Sequence, residues 1–198
     1  SLDVQKINCD FLTFSSHKVF GPFACGVLYA SEKYHSEMTP YTVGGGAIRS
    51  VRLDDADYKK YPFNLDAGTP AVGEVIAMGE AIKFITDLDR EFYRETLNDL
   101  TNFTIESLKS INALKVIGNP IKRSFIISFT LDGIHPHDAA SFLNKDNIAL
   151  RAGMHCTQPL LKELDLNSTL RTSFSIYNEK EDAERLIQSL KEIIKFWS

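Results

Sequence analysis

Asp10-Phe-Leu-Thr-Phe-Ser-Ser-His-Lys18-Val-Phe-Gly-Pro22 runs from an apolar stretch into a polar one and stops at a Gly-Pro breaker. Phe11 to Phe14 suit a short buried strand, and Gly26-Val-Leu-Tyr29 suits a second. The polar residues between them read as the connection. A lysine between a strand and a Gly-Pro turn sits where a scaffold can hold it rigidly. An enclosed lysine gives up its proton more readily, and the neutral amine can form a Schiff base with a carbonyl cofactor. Ser15 and His17 carry donors suited to a phosphate. A plain surface turn holding a lysine and a histidine accounts for the same residues, so the segment alone leaves both readings open.

Downstream, residues from about Thr39 to Thr69 include Gly44-Gly-Gly46 and show no sustained periodicity. They read as a long structured loop, of a length that points to function or a partner surface. The glycines admit either a close backbone approach or a simple turn. Asp66-Ala-Gly-Thr-Pro70 then leads into a helical pattern. Thr69 offers a hydroxyl near a helix start that favours an anion, or it caps that helix without a ligand. Val72, Val75, Ile76, Met78, Ile82 and Ile85 follow near a 3.6-residue period. A second helix is predicted from Arg90 to Ser110.

Beyond it the texture alternates. Ala113–Ile117 and Phe125–Thr130 read as strands, His135-Pro-His137-Asp138 opens a helix reaching about Lys145, and Ile148–Arg151 and Leu170–Ile176 are strand-like. Glu181 to Phe196 closes the chain as an amphipathic helix. This mixture predicts an α/β layer domain. The two histidines read as surface residues at a helix start, since no third metal ligand stands beside them. The predicted division is residues 1–90 as the end of a larger domain and 91–198 as a small α/β domain.

Composition narrows the function classes. The 198 residues are 43% hydrophobic and 24% charged, with a net charge of −4. No basic surplus recommends nucleic acid, and no apolar run approaches the roughly 20 residues that span a bilayer. Ser1 to Lys6 has neither the basic start nor the apolar segment of a secretory leader. The three cysteines, Cys9, Cys25 and Cys156, show no metal-ligand spacing, so free thiols in a reducing compartment, the cytoplasm, are expected. Cys9 and Cys25 sit in apolar company and read as core residues. Cys156 stands in Arg151-Ala-Gly-Met-His-Cys156-Thr-Gln-Pro159, a mobile loop by expectation, where Arg151 and His155 would favour its thiolate. Arg171, in an apolar strand, needs an anionic partner or an edge facing solvent; a substrate carboxylate would supply the first.

The segments Asp10–Pro22, Gly44–Gly46, Ala67–Pro70, Arg151–Cys156 and Arg171-Thr-Ser, in that order, resemble class V, fold-type I pyridoxal-phosphate enzymes, and most of all the cysteine desulfurases of the SufS type, a group that includes selenocysteine lyase activity. The resemblance implies a fold: the C-terminal part of the cofactor-binding major domain, then the small α/β domain. It also implies roles. Lys18 would hold pyridoxal 5'-phosphate as a Schiff base and shuttle protons. Ser15 and His17 would bind the cofactor phosphate, and Thr69 would reach the phosphate of a neighbouring subunit in a homodimer. Arg171 would bind the substrate α-carboxylate. Cys156 would take sulfur from cysteine as a persulfide, release alanine, and pass the sulfur to an acceptor protein, commonly for iron–sulfur cluster assembly.

This sequence departs from that pattern at Met154, where relatives often carry histidine, and at Thr157, where alanine is common. Relatives also carry roughly as many residues again before the lysine, including the aromatic residue stacked on the cofactor and the aspartate paired with its pyridine nitrogen. The 198-residue chain is therefore expected to be part of a longer protein, to bind the cofactor poorly by itself and to show no turnover. Two alternatives remain: another class V aminotransferase or lyase, or a non-catalytic dimerisation segment.

Overall fold

The computed structural model describes residues 2–197. They form two compact units, Ser1–Leu88 and Asp89–Ser198.

The first unit opens with helix α1 (Val4–Ile7), whose start is capped by the Asp3 carboxylate accepting from the Gln5 and Lys6 N–H groups. Strands β1 (Phe11–Ser15) and β2 (Gly26–Ala30) pair antiparallel, with Ser15 opposite Gly26. Asp10, just ahead of β1, is tied to Lys33 at 2.5 Å and to the Tyr34 hydroxyl at 3.3 Å. The expectation that these strands are buried is corrected: Phe11 and Leu28 are about half exposed, because the described residues of this unit pair only these two strands in their sheet.

The stretch from Thr39 to Thr69 is not a loop throughout. Strands β3 (Ile48–Val51) and β4 (Ala56–Tyr58) form a hairpin inside it. The hairpin is closed by polar cross-links: Arg52 bonds both Asp55 and Asp57, and Ser50 donates to Asp57 at 2.7 Å. Arg52, with Ser50, holds the Asp57 carboxyl down at about 2. A strand pair made this way leaves no apolar alternation in the sequence to find.

Helix α2 (Val72–Asp87) follows Pro70 as the period predicts, but Thr69 does not cap it. Its cap residue is Ala71, which has no side-chain cap, and Thr69 lies two residues earlier, exposed and without a hydrogen bond to any described residue. The helix buries Met78, while Val72, Val75, Ile76, Ile82 and Phe84 remain 42–64% exposed. Cys9 and Cys25 are half-buried rather than core residues; the Cys25 thiol lies 3.9 Å from the Met78 sulfur.

The second unit is built around an antiparallel sheet in the order β5-β6-β8-β7: β5 (Leu114–Val116), β6 (Ile126–Leu131), β7 (Arg151–Gly153) and β8 (Thr169–Ser173). Three helices accompany it, α3 (Arg90–Lys109), α4 (Pro136–Lys145) and α6 (Lys180–Trp197). Alternation places Ile127, Phe129 and Leu131 of β6 on one sheet face. There they join Leu170, Leu108, Leu143, Leu186, Leu190 and Ile193 in one core. Helix α6 contributes Ala183, Leu186, Ile187, Leu190 and Ile193 at spacings of three and four, the period its sequence predicted. Asp89 caps α3 by accepting from the Phe92 N–H, and His135 caps α4 ahead of Pro136. Two sequence readings shift here. β7 begins at Arg151 instead of ending there, and a short helix α5 (Gln158–Glu163), not anticipated, follows the cysteine.

Candidate active site

The residues singled out fall into two groups, one in each unit. In the first unit, β1 runs directly into a single tight turn, Ser16–Lys18. Its hinge is Ser16, fully buried. The Ser16 N–H donates to the Cys25 carbonyl at 3.0 Å, and its own carbonyl accepts from Val19 at 2.9 Å and Gly21 at 3.0 Å. Gly21 is required at this point, since a Cβ there would lie 2.0 Å from Ser16 Oγ. The Gly-Pro pair is thus more than a breaker; it lets the chain close over Ser16. The turn projects His17 and Lys18 outward, both exposed, with the His17 ring stacked on Phe23 at 5.5 Å. The enclosure that would activate Lys18 is not supplied by the described residues of its unit.

The glycine run has a definite task. Gly46 adopts φ +87 and Gly68 φ +89, and the Gly68 N–H donates to the Gly45 carbonyl at 2.7 Å. A Cβ on Gly46 would meet the Gly68 carbonyl at 3.0 Å. The two loops approach backbone to backbone, which only glycine allows, and the contact fixes the segment leading into Thr69.

These residues fit a phosphate-bearing aldehyde. Among the described residues the hydroxyls of Ser15 and Thr69 and the His17 ring make no hydrogen bond, the buried Ser16 Oγ has no partner, and Lys18 forms no ion pair.

In the second unit, register does the positioning. Arg171 on β8 lies opposite Ser128 of β6 and Arg151 of β7, so the three share the sheet face turned away from the helical core. Like charges directly opposite on neighbouring strands destabilise a sheet. Arg171 is half-buried and its Nε, fully buried, has no partner among the described residues. An anion between the two guanidinium groups would satisfy both facts.

Cys156 follows β7 on a turn with left-handed backbone at two consecutive residues, His155 (φ 53) and Cys156 (φ 61). Non-glycine residues rarely adopt this conformation, and two in succession need support from outside the turn. Thr157 closes the turn twice, its N–H and its hydroxyl both reaching the Met154 carbonyl at 2.9 Å. The His155 ring reaches back to β8, with Nε2 3.1 Å from the Thr169 carbonyl and 2.8 Å from its hydroxyl. The carbonyl can only accept, whereas the hydroxyl can serve Nε2 in either tautomer. Burial, with the charges of Arg171 and Arg151, holds the imidazole below its ordinary value against the pull of that carbonyl.

The result is an exposed Cys156 with its sulfur 3.7 Å from Arg151 Nη2. Sequence reasoning grouped Arg151 and His155 as partners of the thiol, and expected a mobile loop. Here Arg151 faces the sulfur and His155 is turned onto Thr169. Thr169 was missed, its only signal a hydroxyl just ahead of an apolar strand, and Thr157 was noted only as a departure from the family pattern, not as a closure of the turn.

The family profile Aminotransferase class-V matches residues 1–186. The chain belongs to the class V aminotransferase family. Among curated relatives of this family member, a probable cysteine desulfurase from Staphylococcus epidermidis is 40% identical over 199 residues, and one from Halalkalibacterium halodurans is 38% identical over 196. Each alignment takes in 99–100% of this chain and 48% of the relative, so the chain spans about half their length. Among solved structures, the cysteine desulfurase CsdA of Escherichia coli superposes with a TM-score of 0.93 at 33% identity, over 98% of this chain and 48% of that one. The apo cysteine desulfurase of Thermococcus onnurineus gives 0.91 at 34% identity, over 97% and 48%. The α/β architecture of this class V chain is thus that of half a cysteine desulfurase. More distant, at 17% identity and a TM-score of 0.77 (96% of this chain, 47% of the other), a C-DES variant with glycine covalently linked to its pyridoxal phosphate shares the fold.

Proposed function

We propose that the protein carrying this chain is a pyridoxal-phosphate-dependent cysteine desulfurase that converts L-cysteine to L-alanine and leaves the sulfur as a persulfide on Cys156. The observation that carries this reading is the Cys156 turn: an exposed thiol facing Arg151, one strand from an arginine whose buried Nε has no partner among the described residues. Its resemblance in fold and sequence to cysteine desulfurases supports it.

The residues take these roles in the proposal. Ser15 and His17 hold the cofactor phosphate, with Thr69 reaching the phosphate of a neighbouring subunit in a homodimer. Lys18 binds the cofactor through Nζ, and the same atom holds and returns the protons that move on the substrate. Arg171 fixes the substrate carboxylate as a fork, which orients its sulfur. When bound, pyridoxal phosphate supplies the electron sink that weakens the substrate's carbon–sulfur bond. The Cys156 thiolate, facing the Arg151 guanidinium, forms a sulfur–sulfur bond as the carbon–sulfur bond breaks. The substrate carbon takes the electron pair and a proton and leaves in alanine, and Cys156 ends as the persulfide. The exposed turn can then offer that sulfur to an acceptor protein, with iron–sulfur cluster assembly in the cytoplasm as its use. Selenocysteine is a second substrate within the same chemistry.

The test is made on the protein with all its flanking sequence: free cysteine is added and the mass of the peptide containing Cys156 is measured. One additional sulfur atom on Cys156, absent in a Lys18→Ala variant, is the expected result. An unmodified Cys156 despite bound cofactor replaces this reading with another class V chemistry. The 198-residue chain alone is expected to show no turnover, and alanine production from it would overturn that part.

A further inference from the structure

We propose that the cleft between α3 and residues 119–125 in the second unit binds a small molecule bearing two or more phosphate charges. This goes beyond the desulfurase reading and does not depend on it. The cleft, of about 940 Å³, is at the upper end of ligand-site sizes and larger than one phosphate needs.

Its charge is the first argument. In a chain of net charge −4, the cleft gathers Arg94, Lys109, Lys122 and Arg123 around a single carboxylate, Glu106. Arg94 is paired with Glu91, but Lys109 and Lys122 form no ion pair among the described residues. Arg123 donates one N–H to the Gly118 carbonyl at 3.1 Å, which ties down the loop and leaves its other N–H groups available. Clustered cations with a concave wall favour anions, and guanidinium donors match phosphate oxygens.

The second argument is a donor on the wall. Helix α3 turns Leu97, Leu100 and Leu108 inward, and Arg94, Asn98, Asn102 and Lys109, spaced by four and seven residues, form a stripe along the cleft. Thr96 and Thr104 of the same helix donate to carbonyls four residues back, at 2.9 and 2.7 Å. Thr101 does not. It is 3% exposed, it lines the cleft, and its hydroxyl has no partner among the described residues. A hydroxyl so placed is costly unless something in the cleft accepts from it.

The probe is inorganic pyrophosphate, titrated into the 198-residue chain while backbone amides are followed by two-dimensional NMR. Saturable shifts at Asn98, Asn102, Lys109 and Lys122 are expected. The Lys109→Gln/Lys122→Gln double variant, both positions exposed, should bind at least about tenfold more weakly. Arg123→Gln alone gives a second check should the double variant lose its folded spectrum, and should also weaken binding. Shifts confined to the Ser15–Phe20 turn, no saturable shift in the cleft, or unchanged affinity in the folded variants would overturn the proposal.

Discussion

The two units were built from sequence of similar apolar character, yet they use it differently. In the second, fourteen buried side chains meet in one core, all but Ile134 of them from three helices and three strands. In the first, the buried apolar residues are Ala30, Ala47 and Met78, and order comes from polar closures: the Ser16 turn, the Arg52 hairpin and the contact between Gly46 and Gly68. Helix α2 is the more apolar helix, but its apolar residues are spread around it where those of α6 gather in one stripe, and most of them are open to solvent. Apolar content therefore says nothing of what covers a helix face.

The sharpest way to break this comparison is to delete bulk on each side of it. Phe129→Ala, fully buried in the second unit, should cost about 3–5 kcal/mol in urea unfolding, and Ile76→Ala on the open face of α2 no more than about 0.5 kcal/mol. Equal costs would mean that α2 is covered in solution. In the first unit the large effect should come instead from a glycine. Gly21→Ala forces a Cβ onto Ser16 Oγ and should destabilise by about 1–3 kcal/mol, seen as faster hydrogen exchange at Val19 and Gly21, whose amides bond to Ser16.

A smaller change tests how the second unit holds its cysteine. Thr169→Val keeps the shape of a buried residue but removes one bond to His155, for about 1 kcal/mol. NMR should report altered His155 and Cys156 backbone shifts with the sheet intact; an unaltered turn would remove Thr169 from the support of Cys156.

The smallest effects are electrostatic and follow from opposite polar designs. His155 is held below its unfolded value of about 6.5, so the unfolded chain binds the extra proton first. Its contribution is present above about pH 6.5 and is lost as pH falls from there toward the folded value. His155→Gln should flatten that part of the stability profile. Asp57, lowered to about 2, contributes fully above about pH 3.8 and less as pH falls toward 2. Because it is exposed, Asp57→Asn should lower stability only slightly above about pH 3.8 and flatten the acid limb below it.

Much of this was legible beforehand. The His135-Pro136 cap, the α3 and α6 helices and the strand-turn arrangement around Lys18 all have local signals: a capping residue, a repeat of three and four, a Gly-Pro pair. The β3–β4 hairpin was not legible because charged residues hold it. Helix α5 is only six residues long, too short to show a period. The candidate site was half legible. Lys18, Cys156 and Arg171 stand in recognisable segments, but the division of labour between Arg151 and His155 does not.

The sequence by itself determined where most chains of local structure begin and end and which side chains bear reactive groups, since those depend on neighbours a few residues away. Only the tertiary structure decided that Arg151 faces Arg171 across two strands, that His155 leaves the thiol for Thr169, and that the Thr101 hydroxyl meets no partner among the described residues. These are consequences of strand register and helix packing. They bring together residues up to twenty positions apart in the chain, or place one against a layer formed elsewhere, and no periodicity within a segment encodes that alignment.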